Sequence, residues 1–465
     1  MLPAKIPIRL VLLVAVSGIL GLSLMTIAAQ AVQSIEPSTR RAGFAVNSQM
    51  KEVSMKILLS AFACDPDQGS EPGVGWAWAC RLAKSGHDVY VLTRERYRAS
   101  IEVAMSQEQI PHLRFIYLGV PESLFPIPRF GVYPYYFAWQ LKAYLLADKL
   151  VNLREIDCIH HITYGTYRTP FFLSWLGIPS IFGPVGGGEI APIRLTKGMP
   201  IISRIRECAR IAANFVSSLS PITRLVWRRS SLILTVTEDT LRMVPPRYRS
   251  KCRVLLAVTT PASTGEVEIS KHRDRDKFRV LFVGRLLEWK GPHLAVRALG
   301  IARQTVPEMS LTILGDGRCE AGLRTLVKSE GLGDGIEWIP RITRKQLLEV
   351  YDKHEILIFS NLRDAGGTVV LEALSRGVPV ICLKLGAFGG IIDSSCGACI
   401  ETDKRSVEDV IQSIAEELIR FSAMSESELN AIRRTAYDRA RQFNVSEVVG
   451  KAYSWFAELN SASMS

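Results

Sequence analysis

The sequence predicts an α/β protein made of two tandem, doubly wound domains with a cleft between them. From Met55 onward, short apolar runs alternate with amphipathic stretches, which indicates parallel strands covered by helices on both faces. A polar, charged segment over residues 261–277 interrupts this alternation, as is typical of an interdomain linker. The chain has 465 residues, enough for two such domains with well-filled cores.

The first domain is predicted over residues 55–265. It opens with a strand at Lys56–Phe62, and the first helix is predicted at Gly75–Ser85. Further solid apolar runs, typical of buried parallel strands, are Asp88–Thr93, Leu113–Leu118, Asp157–His161 and Pro179–Phe182.

The second domain is predicted over residues 278–442, after a linker at 266–277. A C-terminal helix within 443–465 is expected to pack back on the first domain. The predicted strands are Phe278–Val283, Ser310–Leu314, Gly335–Ile339, Glu355–Ser360 and Val378–Leu383. The predicted helices are Gly291–Thr305, Arg318–Glu330, Arg344–Lys353, Thr368–Ser375, Ser406–Phe421, Glu426–Gln442 and Ser446–Leu459.

The charge and cysteine content narrow the classes of partner. A formal net charge of +12 favours polyanions or an acidic membrane surface. Nucleic acid is not expected, because no basic block with interleaved aromatics or zinc-ligand spacing occurs. Of nine cysteines, Cys396 and Cys399 form the one CxxC, and a zinc site would need a second such pair. We therefore expect no metal, and we assign these two residues to a glycine-rich strand or turn.

The N-terminal 54 residues leave three possibilities open. Leu10–Ala29 is 20 residues long and uncharged, which is enough for a helix that crosses a bilayer. Ala29-Gln30-Ala31 also resembles a signal-peptidase site. Finally, Met55 stands directly before the first strand, so the start codon could lie too far upstream.

Two basic residues follow the first strand of the second domain, in Val283–Gly291. Arg285 and Lys290 lie on the loop into the next helix, where they could grip a diphosphate or simply be solvated. The Gly-Asp-Gly at the end of the next strand, within Ile313–Gly317, predicts a tight turn.

The most informative stretch follows the fourth predicted strand of the second domain. It carries Asp364, the pair Gly366-Gly367, a helix beginning near Thr368, and Glu372 on that helix. Glycines allow close backbone approach, and the free amides of a helix N-terminus bind anions. A carboxylate that precedes such an anion-binding site in the chain can bind sugar hydroxyls, and a carboxylate that follows it can bind a ribose.

These motifs together resemble the donor half of glycosyltransferase family 4, a family of retaining enzymes with the GT-B fold of two Rossmann-like domains. The matching motifs are Gly284-Arg-Leu-x3-Lys-Gly291, Leu314-Gly-Asp-Gly317 and acid-x7-Glu372-Ala-x3-Gly377-x-Pro379-Val380. Three segments of the first domain resemble one bacterial branch of the family, namely Ser60–Trp76, His160–Pro170 and Gly183–Glu189.

For the second domain, the resemblance implies roles for four residues. Arg285 and Lys290 would hold the donor diphosphate, and Glu372 would bind the ribose hydroxyls. Asp364 stands where most of the family has glutamate and would contact the transferred sugar.

For the first domain, the resemblance implies that Gly73 and Gly75 let a loop approach the phosphates. His161, or its neighbour His160, matches a histidine near the sugar. Because neighbours in a strand point to opposite faces, only one of the two can serve, and the alternative is a buried core histidine. Gly186–Glu189, including Gly187, would line the acceptor side.

The expected activity is that of a retaining hexosyltransferase. It would move a hexosyl group from a UDP- or GDP-linked sugar, without a cofactor, to a glycan or lipid-linked acceptor in polysaccharide or glycolipid assembly. One alternative is a non-catalytic carbohydrate-binding or scaffold protein. Another is a sugar-nucleotide epimerase or phosphorylase of the same fold.

Two segments of the first domain predict contact with a membrane surface. Leu124–Trp139 is dense in aromatic residues, and Ile201–Arg229 carries six arginines among apolar residues. A core helix beside a solvated basic face is the alternative for both. Because nucleotide sugars are made in the cytosol, we expect a bacterial cytoplasmic protein. It would lie at the inner face of the inner membrane, peripherally or through one N-terminal anchor.

Overall fold

The computed structural model describes residues 54–121, 132–260 and 277–462. Within these ranges the chain forms two parallel β-sheets, one of seven strands and one of six, flanked by helices. The predicted doubly wound α/β architecture is therefore confirmed. The segment Leu10–Ala29 and residues 261–276 lie outside the described residues. In the part of the chain that the structure does describe, no helix has the length and apolarity that a membrane crossing requires.

The strands alternate with helices along the chain. The strands are β1 (Lys56–Ala61), β2 (Asp88–Arg94), β3 (Leu113–Leu118), β4 (Cys158–Thr163), β5 (Ser180–Val185), β6 (Leu232–Thr235), β7 (Cys252–Val254), β8 (Arg279–Val283), β9 (Ser310–Leu314), β10 (Ile336–Ile339), β11 (Ile356–Phe359), β12 (Val380–Leu383) and β13 (Gly397–Ile400). The α-helices are α1 (Ser70–Lys84), α2 (Arg98–Gln107), α3 (Val132–Leu150), α4 (Ile201–Leu219), α5 (Pro221–Arg229), α6 (Glu238–Met243), α7 (Pro292–Ala302), α8 (Glu320–Ser329), α9 (Arg344–Tyr351), α10 (Thr368–Ser375), α11 (Val407–Ala423), α12 (Glu426–Arg441) and α13 (Val445–Ala462).

The strand order places two switch points in the molecule. The first sheet runs β3-β2-β1-β4-β5-β6-β7 and the second runs β10-β9-β8-β11-β12-β13. The order reverses between β1 and β4 and again between β8 and β11, and ligands of such sheets bind beyond the strand ends at these points. Every residue of β4, β5, β6, β11 and β12 is buried, which explains the solid apolar runs in the sequence.

Several elements differ from the sequence-based expectations. Helix α1 begins at Ser70 rather than at Gly75. The strands β6 and β7 were not predicted, because four and three residues are too few to show a periodic pattern. The CxxC motif lies at the start of β13, which agrees with its assignment to a glycine-rich strand.

The aromatic segment expected at the surface is largely part of the core. Its first residues, up to 131, lie outside the described residues. Tyr135, Tyr136 and Trp139 of α3 are buried, and the rings of Tyr136 and Trp139 meet Phe62 edge-on at 5.0 and 5.3 Å. The surface prediction was wrong for these three residues, because they fill the space between α3 and β1.

The two domains share one apolar cluster, and the C-terminal helix contributes to it. The cluster joins residues of both sheets with Val448, Tyr453 and Phe456 of α13. That helix lies against α1 and β6 of the first domain. There the Tyr453 hydroxyl lies 3.0 Å from Nδ1 of His160, while Nε2 of His160 lies 2.7 Å from the carbonyl of Gly183.

We expect Tyr453→Phe to lower the free energy of unfolding by about 1–3 kcal/mol, because it leaves the buried Nδ1 of His160 without its partner. Tyr437→Phe is the matched control, since Tyr437 on α12 has no hydrogen bond to any residue that the structure describes. Urea titration monitored by tryptophan fluorescence measures both. Equal stability of the two variants would contradict the role of this hydrogen bond.

Candidate functional site

The loops that follow β8 and β11 meet at the switch point of the second sheet. The loop after β8 carries Arg285 and Lys290, and the loop after β11 spans Asn361–Gly367. The Lys290 ammonium lies 2.5 Å from Oδ2 of Asp364, and both side chains are largely buried. The structure therefore brings together the cation and the carboxylate that the sequence analysis assigned to the diphosphate and the sugar.

The Asp364 carboxylate organises its own loop. Its Oδ2 also accepts a hydrogen bond from the side-chain amide of Asn361 at 2.5 Å, and its Oδ1 accepts from the backbone of Gly366 at 2.9 Å. The Lys290 ammonium is held from the side by the Trp289 ring, whose centre is 4.6 Å away. The carboxylate is thus fixed in position by three donors.

Helix α10 presents an uncapped N-terminus beside this carboxylate. The residue before the helix is Gly367, no side chain caps the first turn, and the helix begins at Thr368. A Cβ on Gly367 would lie 2.7 Å from the Phe359 ring, so the backbone approaches this ring more closely than any other residue type allows. Since the amides of the first turn lack helical partners, they are suited to an anion such as a phosphate.

Glu372 lies on α10 one turn after Thr368, on the same side of the helix. It is buried, and the hydroxyl of Tyr351 is 3.5 Å from its Oε2. A carboxylate at this depth is held in a defined position behind the amides of the first turn.

Arg285 is exposed at the end of β8 and has no hydrogen bond or ion pair with the residues that the structure describes. The loop that carries it packs against Gly315-Asp316-Gly317. Cβ atoms on Gly315 and Gly317 would lie 2.1 and 2.3 Å from the carbonyl oxygens of Gly284 and Leu286. The Gly-Asp-Gly motif therefore supports the Arg285 loop through close backbone packing, in line with its interpretation as a tight turn.

The loop after β5 forms the opposite wall. Gly186 lies against Ala365, since a Cβ there would come within 2.5 Å of the alanine side chain. The amide of Gly187, which has φ +105°, donates to Oε2 of Glu189 at 2.8 Å. The buried Glu189 also accepts hydrogen bonds from Thr237 and Thr240 at 2.6 and 2.8 Å. Glu189 is thus an internal anchor of the loop rather than an exposed ligand.

Sequence reasoning missed a group of arginines between the domains. Arg210 and Arg168 both donate to the Gly187 carbonyl, at 3.2 and 3.4 Å. Arg363, which precedes Asp364, forms a two-pronged ion pair with Glu207 of α4 at 2.8 and 3.2 Å. Burial, and then the charges of Arg363 and Arg168, lower the pKa of Arg210 to about 10. The position of Arg363 beside the predicted carboxylate was the available signal.

The glycines predicted to approach phosphates, Gly73 and Gly75, have a packing role in the structure, and their approach to a donor stays a prediction. Gly73 and Gly75 lie inside α1. Cβ atoms on them would lie 2.4 Å from the carbonyl of Gln68 and 2.2 Å from that of Ala63. Because α1 starts earlier than expected, both glycines serve the packing of the helix against the preceding loop.

The structure places His161 in the core and not in the cleft. It is fully buried, and its ring nitrogens lie 3.2 Å from the Ser60 hydroxyl and 3.1 Å from the Tyr136 hydroxyl. Burial lowers its pKa to about 3. His160, also fully buried, points to the opposite face of the sheet, where burial lowers its pKa to about 4. The role of His161 beside the sugar is therefore corrected to a core histidine.

A carboxylate of the first domain also went unnoticed. Glu71 in the first turn of α1 accepts a hydrogen bond from the amide of Gly165, in the loop after β4, at 2.6 Å. Burial raises its pKa above the usual range. Its place at a helix start within the motif Ser70-Glu-Pro-Gly was the only sequence signal.

A cavity of about 830 Å³ lies between the domains. Thr237 and Asp239 line it from the first domain, and Gly386, Gly389 and Gly390 line it from the second. Lys290, Asp364 and Glu372 are not among its lining residues, so it lies beside the charged site. Among the described residues, no group of three or more His, Cys, Asp or Glu side chains could hold a metal ion.

The second domain is similar to known proteins. Residues 266–435 match the family model described as glycosyl transferases group 1. The D-inositol 3-phosphate glycosyltransferase of Pseudarthrobacter chlorophenolicus is 30% identical over 158 residues, which cover 33% of this chain and 36% of that protein. The protein of the same name from Mycobacteroides abscessus is 27% identical over 206 residues, which cover 43% of each. The match thus spans less than half the length of these relatives.

Solved structures resemble most of the chain. HepE of Anabaena, in complex with UDP, is 16% identical over 87% of this chain and 100% of its own, with a TM-score of 0.54. Sucrose-phosphate synthase of Thermosynechococcus elongatus is 16% identical over 88% of this chain and 100% of its own, with a TM-score of 0.56. These likenesses confirm the predicted GT-B fold. The resemblance to glycosyltransferases is confirmed for residues 266–435, and the assignment to family 4 stays a prediction.

We expect His161→Asn to reduce the loss of stability at acidic pH. Below about pH 6.5 the unfolded chain binds a proton on His161, and the folded chain does not until about pH 3. The stability that neutral His161 contributes is therefore complete above about pH 6.5 and lost as the pH falls. The free energy of unfolding, measured by urea titration, falls between about pH 6.5 and about pH 5. We expect this fall to be about 2 kcal/mol smaller in the variant. An unchanged pH dependence would contradict the burial of His161.

Proposed function

We propose that this chain, whose residues 266–435 carry a group 1 glycosyltransferase domain, moves a hexosyl group from a nucleotide sugar to a glycan or lipid-linked acceptor, with retention at the anomeric carbon. The supporting observation is the meeting of Lys290 and Asp364 beside the uncapped N-terminus of α10. Cations, helix amides and a carboxylate at one switch point match the parts of a sugar diphosphate.

The chemistry required is mainly electrostatic. Cleavage of the bond between the sugar and the diphosphate leaves negative charge on the departing phosphate oxygen. Lys290, Arg285 and the amides of Thr368 and its neighbours are placed to stabilise that charge. Asp364 would accept hydrogen bonds from the transferred sugar, and Glu372 would accept those of the ribose. In this scheme the protein's own cations act where other enzymes use a metal ion.

The acceptor that fits this cleft carries a phosphate group. Arg168, Arg210 and Arg363 lie close together on the side of the cleft formed by the Gly187 loop. Nε of Arg168 is buried without a hydrogen-bond partner among the described residues, so a donor is available for an anion. A lipid-linked glycan phosphate would satisfy these arginines. The bacterial relatives are named for a phosphorylated acceptor, inositol 3-phosphate.

Helix α4 supports action at a membrane surface, because its polar side faces inward. The hydroxyl of Ser203 donates to Glu288 of the second domain at 2.9 Å, Glu207 pairs with Arg363, and Asn214 is buried. The opposite side exposes an apolar face, in which each residue leaves 60% to 66% of its surface accessible. This face consists of Ile201, Ile202, Ile205, Phe215 and Val216.

An anionic lipid surface is the occupant that we propose for this apolar face. Soluble monomers rarely expose such a continuous apolar surface. Arg204 and Arg206 are exposed, one at each edge of the apolar face, where their charges can reach lipid headgroups. The net charge of +12 agrees with this partner. Arg210, included in the same surface by sequence reasoning, turns inward to Gly187. We therefore place the enzyme at the cytoplasmic face of the bacterial inner membrane.

We expect a nucleotide-sugar donor to raise the melting temperature by several degrees in a screen of UDP-, GDP- and ADP-sugars. Glu372→Ala should weaken the binding at least about hundredfold, since two hydrogen bonds to a carboxylate are lost, and should abolish donor hydrolysis. The matched control is Glu408→Ala, an exposed acid in the first turn of α11. Unaltered turnover in Glu372→Ala would refute the assignment.

We expect Arg204→Ala/Arg206→Ala to weaken binding to phosphatidylglycerol-containing vesicles about thirtyfold, because each arginine near an anionic surface contributes about 1 kcal/mol. Ile202→Ser/Phe215→Ser should weaken it as well. Arg98→Ala/Arg114→Ala removes the same charge elsewhere in the first domain and serves as the control. Vesicle flotation measures binding. If the control and test variants lose vesicle binding equally, the effect is one of net charge and α4 is not the membrane contact.

A further inference from the structure

Two cysteines of adjacent strands lie side by side under the edge of the interdomain cavity. Cys382 of β12 and Cys399 of β13 are partners in the register of this parallel pair. Their Cα atoms are therefore about 4.8 Å apart, the spacing of hydrogen-bonded strands, and their side chains leave the sheet on the same face. Disulfides join Cα atoms about 4.4–6.8 Å apart, and the spacing of this pair lies within that range.

The CxxC motif suggests a different pair, Cys396 with Cys399, and the strand geometry disfavours it. Cys396 lies in the turn before β13, so it is not in the strand that carries Cys399. The Cys396 sulfur turns toward the Asp393 carbonyl at 3.8 Å and is buried. Tertiary structure therefore replaces the local partner of Cys399 with one that lies 17 residues away in the sequence.

The two thiols differ in the way that an attacking and a resolving cysteine differ. Cys399 is partly exposed, and the neighbouring Cys382 thiol, followed by the charge of Lys384, lowers its pKa. Cys382 is buried, and the neighbouring Cys399 thiol together with burial raises its pKa. A partly exposed thiol with a lowered pKa beside a second thiol is the arrangement of a redox-sensitive site.

The same two sulfurs hold the short turn Phe388–Gly390. The Cys399 thiol lies within hydrogen-bond reach of the Gly389 carbonyl at 3.4 Å, and the Cys382 thiol lies 3.8 Å from the Phe388 carbonyl. Gly389 and Gly390 line the cavity between the domains. The Phe388 ring packs edge-on against Phe359 at 5.5 Å, and Phe359 is the ring under Gly367.

A second contact ties this turn to the candidate site. A Cβ on Gly386, just before the turn, would lie 2.2 Å from the Asp364 carbonyl oxygen, so the two backbones touch. The sulfurs thus support a segment that contacts both the carboxylate loop and the start of α10.

We propose that Cys399 and Cys382 form a thiol–disulfide exchange site that controls the order of the Phe388–Gly390 turn. The Cys399 thiolate attacks a small disulfide such as oxidised glutathione, forms a mixed disulfide and releases one glutathione thiolate. The released glutathione thiolate takes the proton of Cys382, whose sulfur then attacks the Cys399 sulfur. This forms the internal disulfide and releases the second glutathione as a thiolate. The two protein thiols lose two electrons and the glutathione disulfide gains them.

Oxidation has a structural consequence at the turn. In the disulfide neither sulfur carries a hydrogen, so the carbonyls of Phe388 and Gly389 lose their thiol donors and the turn loosens. In a reducing compartment the disulfide would be transient, as regulatory disulfides there are. An effect on sugar transfer rests on the function proposed above, whereas the disulfide and the order of the turn do not.

The test uses the full chain with Cys208→Ser, which removes the exposed thiol of α4. The protein is treated with oxidised glutathione, alkylated, digested without reduction and mapped by mass spectrometry. We expect a peptide pair that links residues 382 and 399 and that dithiothreitol reverses. Adding Cys382→Ser should stop the reaction at a glutathione adduct on Cys399, and adding Cys399→Ser should leave Cys382 unmodified. Cys319→Ser, another partly exposed thiol, is the matched control and should change nothing.

Amide hydrogen exchange supplies the second readout. Oxidation should make the amides of residues 386–391 exchange about tenfold faster, as expected when local hydrogen bonds are lost. The oxidant-treated Cys382→Ser/Cys399→Ser chain should show no such change. A bridge between residues 396 and 399, the absence of any bridge, or unchanged exchange in the bridged protein would overturn the proposal. Because neither readout depends on turnover, the result is separate from the test of the proposed function.

Discussion

The arrangement of the cleft depends on the carboxylate of Asp364. It receives the Lys290 ammonium from the neighbouring strand, the Asn361 amide from its own loop and the Gly366 backbone amide. These bonds hold the loop so that the uncapped start of α10 faces the same point. A single carboxylate therefore sets the positions of the Lys290 ammonium and of the backbone amides at the start of α10, which belong to different elements. An aspartate reaches one methylene less far than a glutamate, so the loop must come close to Lys290.

The same loop joins the domains. Arg363 pairs with Glu207 of α4, and Ala365 lies against Gly186. The polar side of α4 thus forms its contacts inside the molecule, and its apolar side is exposed to solvent. In most surface helices the apolar side faces inward, and α4 has the opposite orientation. Its exposed apolar face, which we assign to lipid, is therefore connected to the Asn361–Gly367 loop, which we assign to the sugar. The coupling is physical, since one helix carries both faces.

Particular residues show how far sequence reasoning reached. Most predicted strands were found within one or two residues of their bounds, because buried parallel strands are continuous apolar runs. Lys290, Asp364 and the glycines before α10 were predicted as site residues because they lie on loops that follow such strands, and their roles stay predictions. His161 was misassigned, because a histidine that fills a core and a functional histidine look the same in sequence. Only burial and contacts distinguish them.

The sequence by itself determined the α/β alternation, the two domains and the charged residues at the strand ends, because these follow from local patterns along the chain. Tertiary structure alone decided which distant groups meet. It paired Arg363 with Glu207 and Lys290 with Asp364, gathered the arginines around Gly187, and set Cys399 beside Cys382 rather than Cys396. The reason is that such pairs arise from sheet register and domain packing, where side chains far apart in sequence share one face or one cleft.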